Sequence, residues 1–485
     1  MRFLPARLGM AAFLAVSLAV SFGTLHALTP NSARENPDGR ADKADTAGLG
    51  DFSTWAGVSS CSASACHNGN FNKGIQGEDY AKRCEYSVWA TKDPHQKAYN
   101  VLFGEIGRNI ERNYQRLAGD TEIHAERDEV CLRCHVDPRI TRGPTEAADT
   151  PLAFHDGVGC ETCHGPAKNW LNDHIAYDWT SLSRAAKEKT GFRYTKSLRV
   201  TAETCLECHV GSPRCESGHD LLAAGHPRLN FDFSLAMAQY PKHWSDREDH
   251  ERYPDYAAQT WAIGSTLVAK AAFDQLAFHT SDGRPWPEFA EHDCYACHHD
   301  LKSESWRQTK DYYAGRKPGL IPMNSWYATM ASLPVGANPQ IDAAINKLSA
   351  EMDQTPPDRL IVRRYAEDIS RLLGEHAKQM ERMHFDEKRL HALYTAVAKD
   401  TEKLHRANWD NAAQIYLALA ALSETRGDLD SRNAHPGVES LLGRMDDLLG
   451  LRRHHAPEIK FNSPRDYLPH AFGKALDDLQ RQSSK

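Results

Sequence analysis

The residues best suited to chemistry are cysteines and histidines, and they come in fixed groups. In chain order these are Cys61-Ser-Ala-Ser-Ala-Cys66-His67, Cys131-Leu-Arg-Cys134-His135, Cys160-Glu-Thr-Cys163-His164, Cys205-Leu-Glu-Cys208-His209 and Cys294-Tyr-Ala-Cys297-His298. Ten of the 12 cysteines are consumed in this way. A thiol pair followed directly by His is the attachment pattern of c-type haem: both thiols add to the porphyrin vinyl groups, and the adjacent imidazole is thereby placed to ligate the iron. At these Cys and His frequencies one such motif arises by chance in roughly one or two chains per hundred of this length, so four with two-residue spacers are not accidental. The first motif has a four-residue spacer, a longer loop that still presents both thiols to one porphyrin edge. Zinc is the competing use of Cys pairs with a nearby His, but a zinc ribbon takes four ligands from two pairs, and five pairs do not divide. A disulfide framework gives no reason for His after every second Cys. Five covalently attached haem c groups are the expectation.

The sixth coordination position decides what such irons can do. Between residues 32 and 300 the only Met is Met237, in an apolar run where core packing is its expected job. The same stretch holds spare histidines in excess of five: His95, His124, His155, His174, His219, His226, His243, His250, His279, His292 and His299. Mostly bis-His irons follow, and without the potential-raising Met ligand they sit at low reduction potential. His95 follows Asp93-Pro94, a capping and first-turn pair, and opens a helix whose apolar positions are Tyr99, Leu102, Phe103, Ile106 and Ile110. His174 lies beyond the Gly165-Pro166 turn, which redirects the chain toward a neighbouring haem. His219 and His226 flank Asp220 to Gly225, and Pro227 forces extended backbone at His226, so the two need not serve one iron. His155 and His124 are candidates that fit a partly exposed polar role equally well; His243, His250, His279, His292 and His299 read as ordinary histidines. Cys84 and Cys215 remain, expected to close a disulfide or else to lie as buried thiols.

The stretch Gly157-Val-Gly-Cys160-Glu-Thr-Cys163-His164-Gly-Pro-Ala-Lys-Asn-Trp-Leu-Asn-Asp-His174 resembles the third-haem region of the nitrifier tetrahaem cytochromes c that take electrons from hydroxylamine oxidoreductase. The order of features over about residues 58 to 210 is similar too. That resemblance implies a mostly helical, loop-rich fold with stacked haem pairs, electron transfer as the main role, and a nitrogen-oxide context. It also implies His174 as distal ligand of the His67 haem, His95 as that of the His164 haem, and a His135 haem without a protein ligand. The four-residue spacer, the fifth motif and the long Cys-free tail set this chain apart as a five-haem branch.

The elements that must position these groups fall into blocks. Arg2 and Arg7 before an apolar stretch from about Met10 to Gly23 read as a secretory signal over 1–27, with a polar leader over 28–50; if uncleaved, the apolar stretch would anchor the chain to a membrane. Residues 51–330 form the five-haem domain, rich in turns because porphyrins supply apolar bulk that side chains otherwise provide. Its clearest helix is Tyr256 to Phe278, with Trp261, Leu267, Val268, Phe273 and Leu276 facing haem or core. Gly315 to Pro334 is a boundary. From 338 to 482 apolar residues recur at helical spacing, as in Ile361, Tyr365, Ile369, Leu372, Leu373, His376 and Met380, then Leu390, Leu393, Val397 and Leu404, with further segments Trp409 to Leu422 and Val438 to Leu451. This is a helical bundle, so the fold class is mainly α: a loop-rich multihaem cytochrome c domain followed by a C-terminal helical bundle. The bundle docks a redox partner, self-associates or caps the haem domain.

The whole, 485 residues with 41% hydrophobic and 25% charged and a mean hydropathy of -0.61, is that of a soluble chain of two or three domains. A net charge of -7 offers no polyanion-binding face, which excludes nucleic acid as a partner. No catalytic triad, phosphate-binding loop or dinucleotide fingerprint occurs. Two functions fit. One is a periplasmic electron carrier exchanging single electrons with donor and acceptor proteins. The other is an oxidoreductase whose His135 haem is open to nitric oxide, hydroxylamine or nitrite, with Arg133, Arg139, Arg142 or His124 donating to the adduct. The carrier is favoured, because no Cys pair is followed by the Lys that marks the catalytic haem of pentahaem nitrite reductases.

Overall fold

The computed structural model describes residues 54–69, 83–137, 155–213, 215–303, 305, 307, 313, 316, 317, 319–336, 338–398, 408–427, 436–451 and 467–483. The expected signal and leader, along with Arg139, Arg142 and Leu404, lie outside them. Helices dominate; the described residues contain no strand, only two isolated bridges, Ser212 with Cys215 and His292 with Met323. None of the described helices is long and apolar enough to cross a membrane.

The first half is short helices and turns: α1 (Glu85–Lys92), α2 (Glu105–Ala118), α3 (Glu129–His135), α4 (Cys160–His164), α5 (Arg184–Glu188), α6 (Leu198–His209), α7 (His219–Ala223), α8 (Phe233–Gln239) and α9 (Asp246–Arg252). Four of the five motif histidines end or directly follow a helix that carries their thiols: α3, α4, α6 and α11 (Cys294–Cys297). One helical turn brings thiols three residues apart to one side, with the His next to them. The four-residue spacer of the first motif instead follows a 3-10 turn, Val58–Cys61.

The single helix expected to open at His95 is divided. Pro94–Lys97 and Asn100–Phe103 are 3-10 turns, Gly104 is extended, and the α-helix begins only at Glu105. The backbone acceptors that would carry a continuous helix are taken elsewhere: Ala98 O accepts from His135 Nδ1 at 2.7 Å, and His95 O accepts from Val158 N–H at 3.0 Å. Gly157 makes that second contact possible. Its φ of 60° and the nearness of His95 O, 2.6 Å from where a Cβ would stand, leave room for no side chain.

Apolar packing in this half is sparse. One cluster joins Tyr99, Leu102, Ala125, Leu132 and Val136; another joins Ala167, Trp170 and Trp179. The large core lies along α10 (Tyr256–His279), in which Trp261, Leu267, Val268, Phe273 and Leu276 are all buried. This helix packs on α6, α8, α13 (Arg359–Met380) and α15 (Trp409–Thr425). Helices α12 (Pro339–Met352), α14 (Glu387–Ala398), α16 (Pro436–Leu449) and α17 (Pro469–Ser483) complete the tail. The buried stripe of α13 is Val362, Ala366, Ile369, Leu373, Ala377 and Met380; Ile361 and Tyr365 stand beside it, half-buried. One continuous core runs from Leu198 through Trp326 and Met330 to Leu479, so the segments expected as two domains share their interior. Polar ties reinforce this: Gln259 Nε2 donates to Met380 O at 2.6 Å, Arg199 pairs with Glu381, and buried Arg228 pairs with Asp410 at 2.7 Å.

Candidate haem sites

Each motif histidine faces a second imidazole. Ring centres lie 6.1 Å apart for His67 and His174, 6.4 Å for His135 and His226, 6.2 Å for His164 and His243, 5.9 Å for His209 and His95, and 6.4 Å for His298 and His219. Two imidazole nitrogens bound on opposite sides of one metal, each at about 2 Å and about 1.1 Å from its ring centre, give a separation of about 6 Å. The five spacings match that separation.

Hydrogen bonds at the other ring nitrogen leave Nε2 free to face the partner. His174 Nδ1 lies 2.6 Å from Leu171 O, His135 Nδ1 2.7 Å from Ala98 O, and His226 Nδ1 2.8 Å from Pro227 O. Against a carbonyl the ring nitrogen must be the donor, which fixes the tautomer with its lone pair on Nε2. Carboxylates hold two others: Glu85 Oε2 is 3.0 Å from His67 Nδ1, and Asp93 Oδ1 is 2.8 Å from His95 Nδ1. Asp93 also caps the turn that carries His95 and accepts from Tyr240 OH at 2.5 Å. Burial keeps His135, His226 and His243 below the ordinary imidazole range and brings His164 and His209 to about 4, so these rings are neutral, the form that ligates a metal. His67 is instead raised by its bond to Glu85.

Four of the five thiol groups stand next to one another. Cys61 lies against Cys160, the sulfurs of Cys134 and Cys208 are within 4.8 Å of each other, and Cys163 acts electrostatically on Cys205. His226, which faces His135, is two residues from Arg228, whose charge acts on Cys294. The sites thus follow in the order first, third, fourth, second, fifth. The end sites are the open ones: Cys66 and Cys297 are exposed, whereas the other motif thiols are half-buried.

The structure departs from the expectations at four points. His95 faces His209, not His164; His164 faces His243, read from sequence as an ordinary histidine. His135 is not left without a facing imidazole, because the His226 ring stands 6.4 Å from it. No disulfide joins Cys84 and Cys215, and both thiols are buried. Cys84 caps α1 beside the first site, while the sulfur of Cys215 lies within 4.8 Å of those of Cys134 and Cys208. That trio lacks a fourth ligand for zinc, since His135 and His209 are directed to His226 and His95. His155 faces no motif histidine; its ring packs on Tyr99 at 5.4 Å. His124 meets the chain through its backbone carbonyl, which caps Arg127 and Asp128. Arg133, a candidate donor to a bound adduct, pairs with Glu129 at 2.8 Å.

Helical fold, thiol motifs and paired imidazoles together define a protein that resembles the multihaem c-type cytochromes. The pattern of the family described as "Cytochrome c554 and c-prime" matches residues 61–165. Cytochrome c-554 of Nitrosomonas europaea is 35% identical over 129 residues, which is 24% of this chain and 51% of that protein. The chain thus spans about half the length of the curated relative it matches. No solved structure matches it. The resemblance implies covalently attached haem c.

The residues present fit that group. Thiols and imidazoles are the donor set haem c requires, the paired rings stand one iron apart, and the apolar clusters around residues 54–210 are too small to be a core unaided.

Proposed function

We propose that this chain is an exported electron carrier holding five haem c groups, each iron bound by two histidines. The pairs are His67 with His174, His135 with His226, His164 with His243, His209 with His95, and His298 with His219. The observation that carries this reading is the set of five ring separations, 5.9 to 6.4 Å, each uniting one motif histidine with one other. Bound to these residues, haem c supplies one-electron chemistry, and the line of sites leads from one exposed end to the other.

The protein's own groups set the conditions for that chemistry. With two imidazoles to hold each haem, the paired histidines would leave no iron open to a small ligand. Imidazole in place of Met, with Glu85 and Asp93 strengthening two of the rings, favours the ferric state and low potentials. The exposed thiol regions at Cys66 and Cys297 are where redox partner proteins, a donor and an acceptor, would dock. The resemblance to cytochrome c-554 supports a nitrogen-oxide context for those partners.

Intact mass and film voltammetry on the holoprotein test the proposal. The expected results are a mass increase of five haem groups, five one-electron couples at low potential, and no catalytic current with nitric oxide, hydroxylamine or nitrite. A catalytic wave with any of the three would replace the carrier with an oxidoreductase.

A further inference from the structure

Beside the fifth site lies a second buried histidine that no iron uses. His279 ends α10 at 4% exposure. Its Nδ1 is 2.6 Å from Glu291 Oε1, and its Nε2 stands 3.6 Å from Glu216 Oε2, outside hydrogen-bond reach. Arg284 closes the cluster by pairing with Glu216. His279 Nε2 and Gln275 Oε1 are buried without hydrogen-bond partners. Both residues line a cavity of about 60 Å³, shared with Ser217, Glu291, Arg228 and Tyr327. A polar cavity of that size has room for water between His279 and the carboxylates.

Both carboxylates belong to the segments that hold the fifth site's second imidazole. Glu216 precedes His219 by three residues in the chain. Glu288, on the same turn as Glu291, accepts from His219 N–H at 2.8 Å, and the Phe289 ring packs against His219 at 5.7 Å. An added electron at this site is therefore felt by a cluster that shares its backbone supports.

We propose that His279, with Glu216 and Glu291, is a proton-binding site linked to the redox state of the fifth iron, so that an electron stored there at alkaline pH carries a proton with it. The proposal rests on the five-haem reading above. His279 Nε2 takes one proton from a buffer acid when the neighbouring iron gains one electron, ferric to ferrous, and returns that proton when the electron leaves to an external one-electron acceptor. Burial opposes charge on His279, but Glu216 and Glu291 outweigh it and hold the imidazole at about 9. Burial opposes charge on Glu216 as well, and His279 with Arg284 brings it to about 2. Below about pH 8 the imidazole is protonated in both redox states and no proton moves; above about pH 9 it is neutral in the oxidised protein, and the added electron draws the proton back. The other charged groups facing the cluster are committed. Arg228 is paired with Asp410, Arg363 of α13 donates to Thr280 O and stands 3.9 Å from Asp282, and Arg359 donates to Arg284 O. Glu288 is occupied by His219 and Ala290 N–H, and burial keeps His292 neutral.

Redox titration of the full-length holoprotein with dithionite, repeated from about pH 6 to about pH 10, tests this. One of five couples is expected to stay constant up to about pH 8 and then to fall with one proton per electron, while the other four do not share that break. Reduction in unbuffered solution at about pH 9.5 is expected to take up as much as about three quarters of a proton per chain. Replacement His279→Gln removes the break and the uptake, and Glu216→Gln moves the break to lower pH. Five pH-independent couples and no proton uptake in a protein with five low-spin haems overturn the proposal alone. A haem count below five, or a high-spin fifth iron, overturns it together with the reading beneath it.

Discussion

Glu85 and Asp93 influence the iron sites at one remove. Each carboxylate accepts from the Nδ1–H of a ring proposed to hold an iron, at 3.0 Å for His67 and 2.8 Å for His95, and would so make that ring a stronger donor. Replacing Glu85 by Gln exchanges a charged hydrogen bond for a neutral one, a difference of about 1 kcal/mol between ferric and ferrous states. Film voltammetry is expected to show one couple raised by roughly 40 mV and the rest unmoved. Ring orientation gives a second handle. His67 with His174 and His219 with His298 are inclined by 15° and 34°, whereas the other three pairs are at 64°, 89° and 90°. Parallel imidazoles split the iron d orbitals that point at their π systems, while perpendicular ones leave them nearly degenerate, so the two groups differ in electron paramagnetic resonance. Thus His174→Ala is expected to remove a near-parallel signal, His95→Ala and His243→Ala each a near-perpendicular one, with one high-spin iron appearing in each case. An unchanged spectrum for His243→Ala would return it to the ordinary histidines. The motif histidines are legible because the thiols that define them are adjacent in sequence. Their partners are not, since His243 is 79 residues from His164 and only the fold brings them together. A local hint exists in Tyr240-Pro-Lys-His243-Trp244, a histidine walled by aromatic rings, with Trp244 at 5.0 Å.

At the scale of elements, the haem half and the tail obey different rules. The tail helices follow their apolar period because each buries a stripe, and Ile369, Leu373 and Met380 were readable from spacing alone. Around the sites, backbone groups hold the paired histidines instead, as Ala98 O does for His135, and periodicity predicts one helix where two 3-10 turns precede a shorter helix. Glu161 illustrates how loops are then held. Inside the third motif and 2% exposed, it accepts from Ala56 N–H at 3.0 Å, Gly57 N–H at 2.8 Å and Ala167 N–H at 2.6 Å. It thereby fastens the turn before Cys61 to the loop after His164. Changing Glu161 to Ala strands three backbone donors and is expected to lower stability by about 3–5 kcal/mol. Urea unfolding followed through haem absorbance measures this loss; a change below about 1 kcal/mol would mean that water replaces the carboxylate.

Across the whole molecule, the tail joins the fifth site rather than standing apart from it. Arg228, 9% exposed by side chain, meets Asp410 of α15, 3% exposed, and also donates to Asn324 Oδ1 at 2.7 Å. Its charge acts on Cys294, so the same pair ties the tail to the last thiol motif. Removing Asp410 by Ala leaves a buried guanidinium without its counter-charge and is expected to cost about 3–5 kcal/mol in urea unfolding. A loss within about 0.5 kcal/mol would show that the pair contributes nothing net. The fifth motif was legible as chemistry, but the shared core from Leu198 to Leu479 was not, because sequence periodicity says which face is buried and not against what. The central claim is that all five irons carry two histidines, and the most direct measurement is electron paramagnetic resonance with carbon monoxide binding on holoprotein of known haem content. The account predicts five haems per chain, low-spin signals only, and no carbon monoxide spectrum on reduction. A high-spin iron that binds carbon monoxide would contradict it.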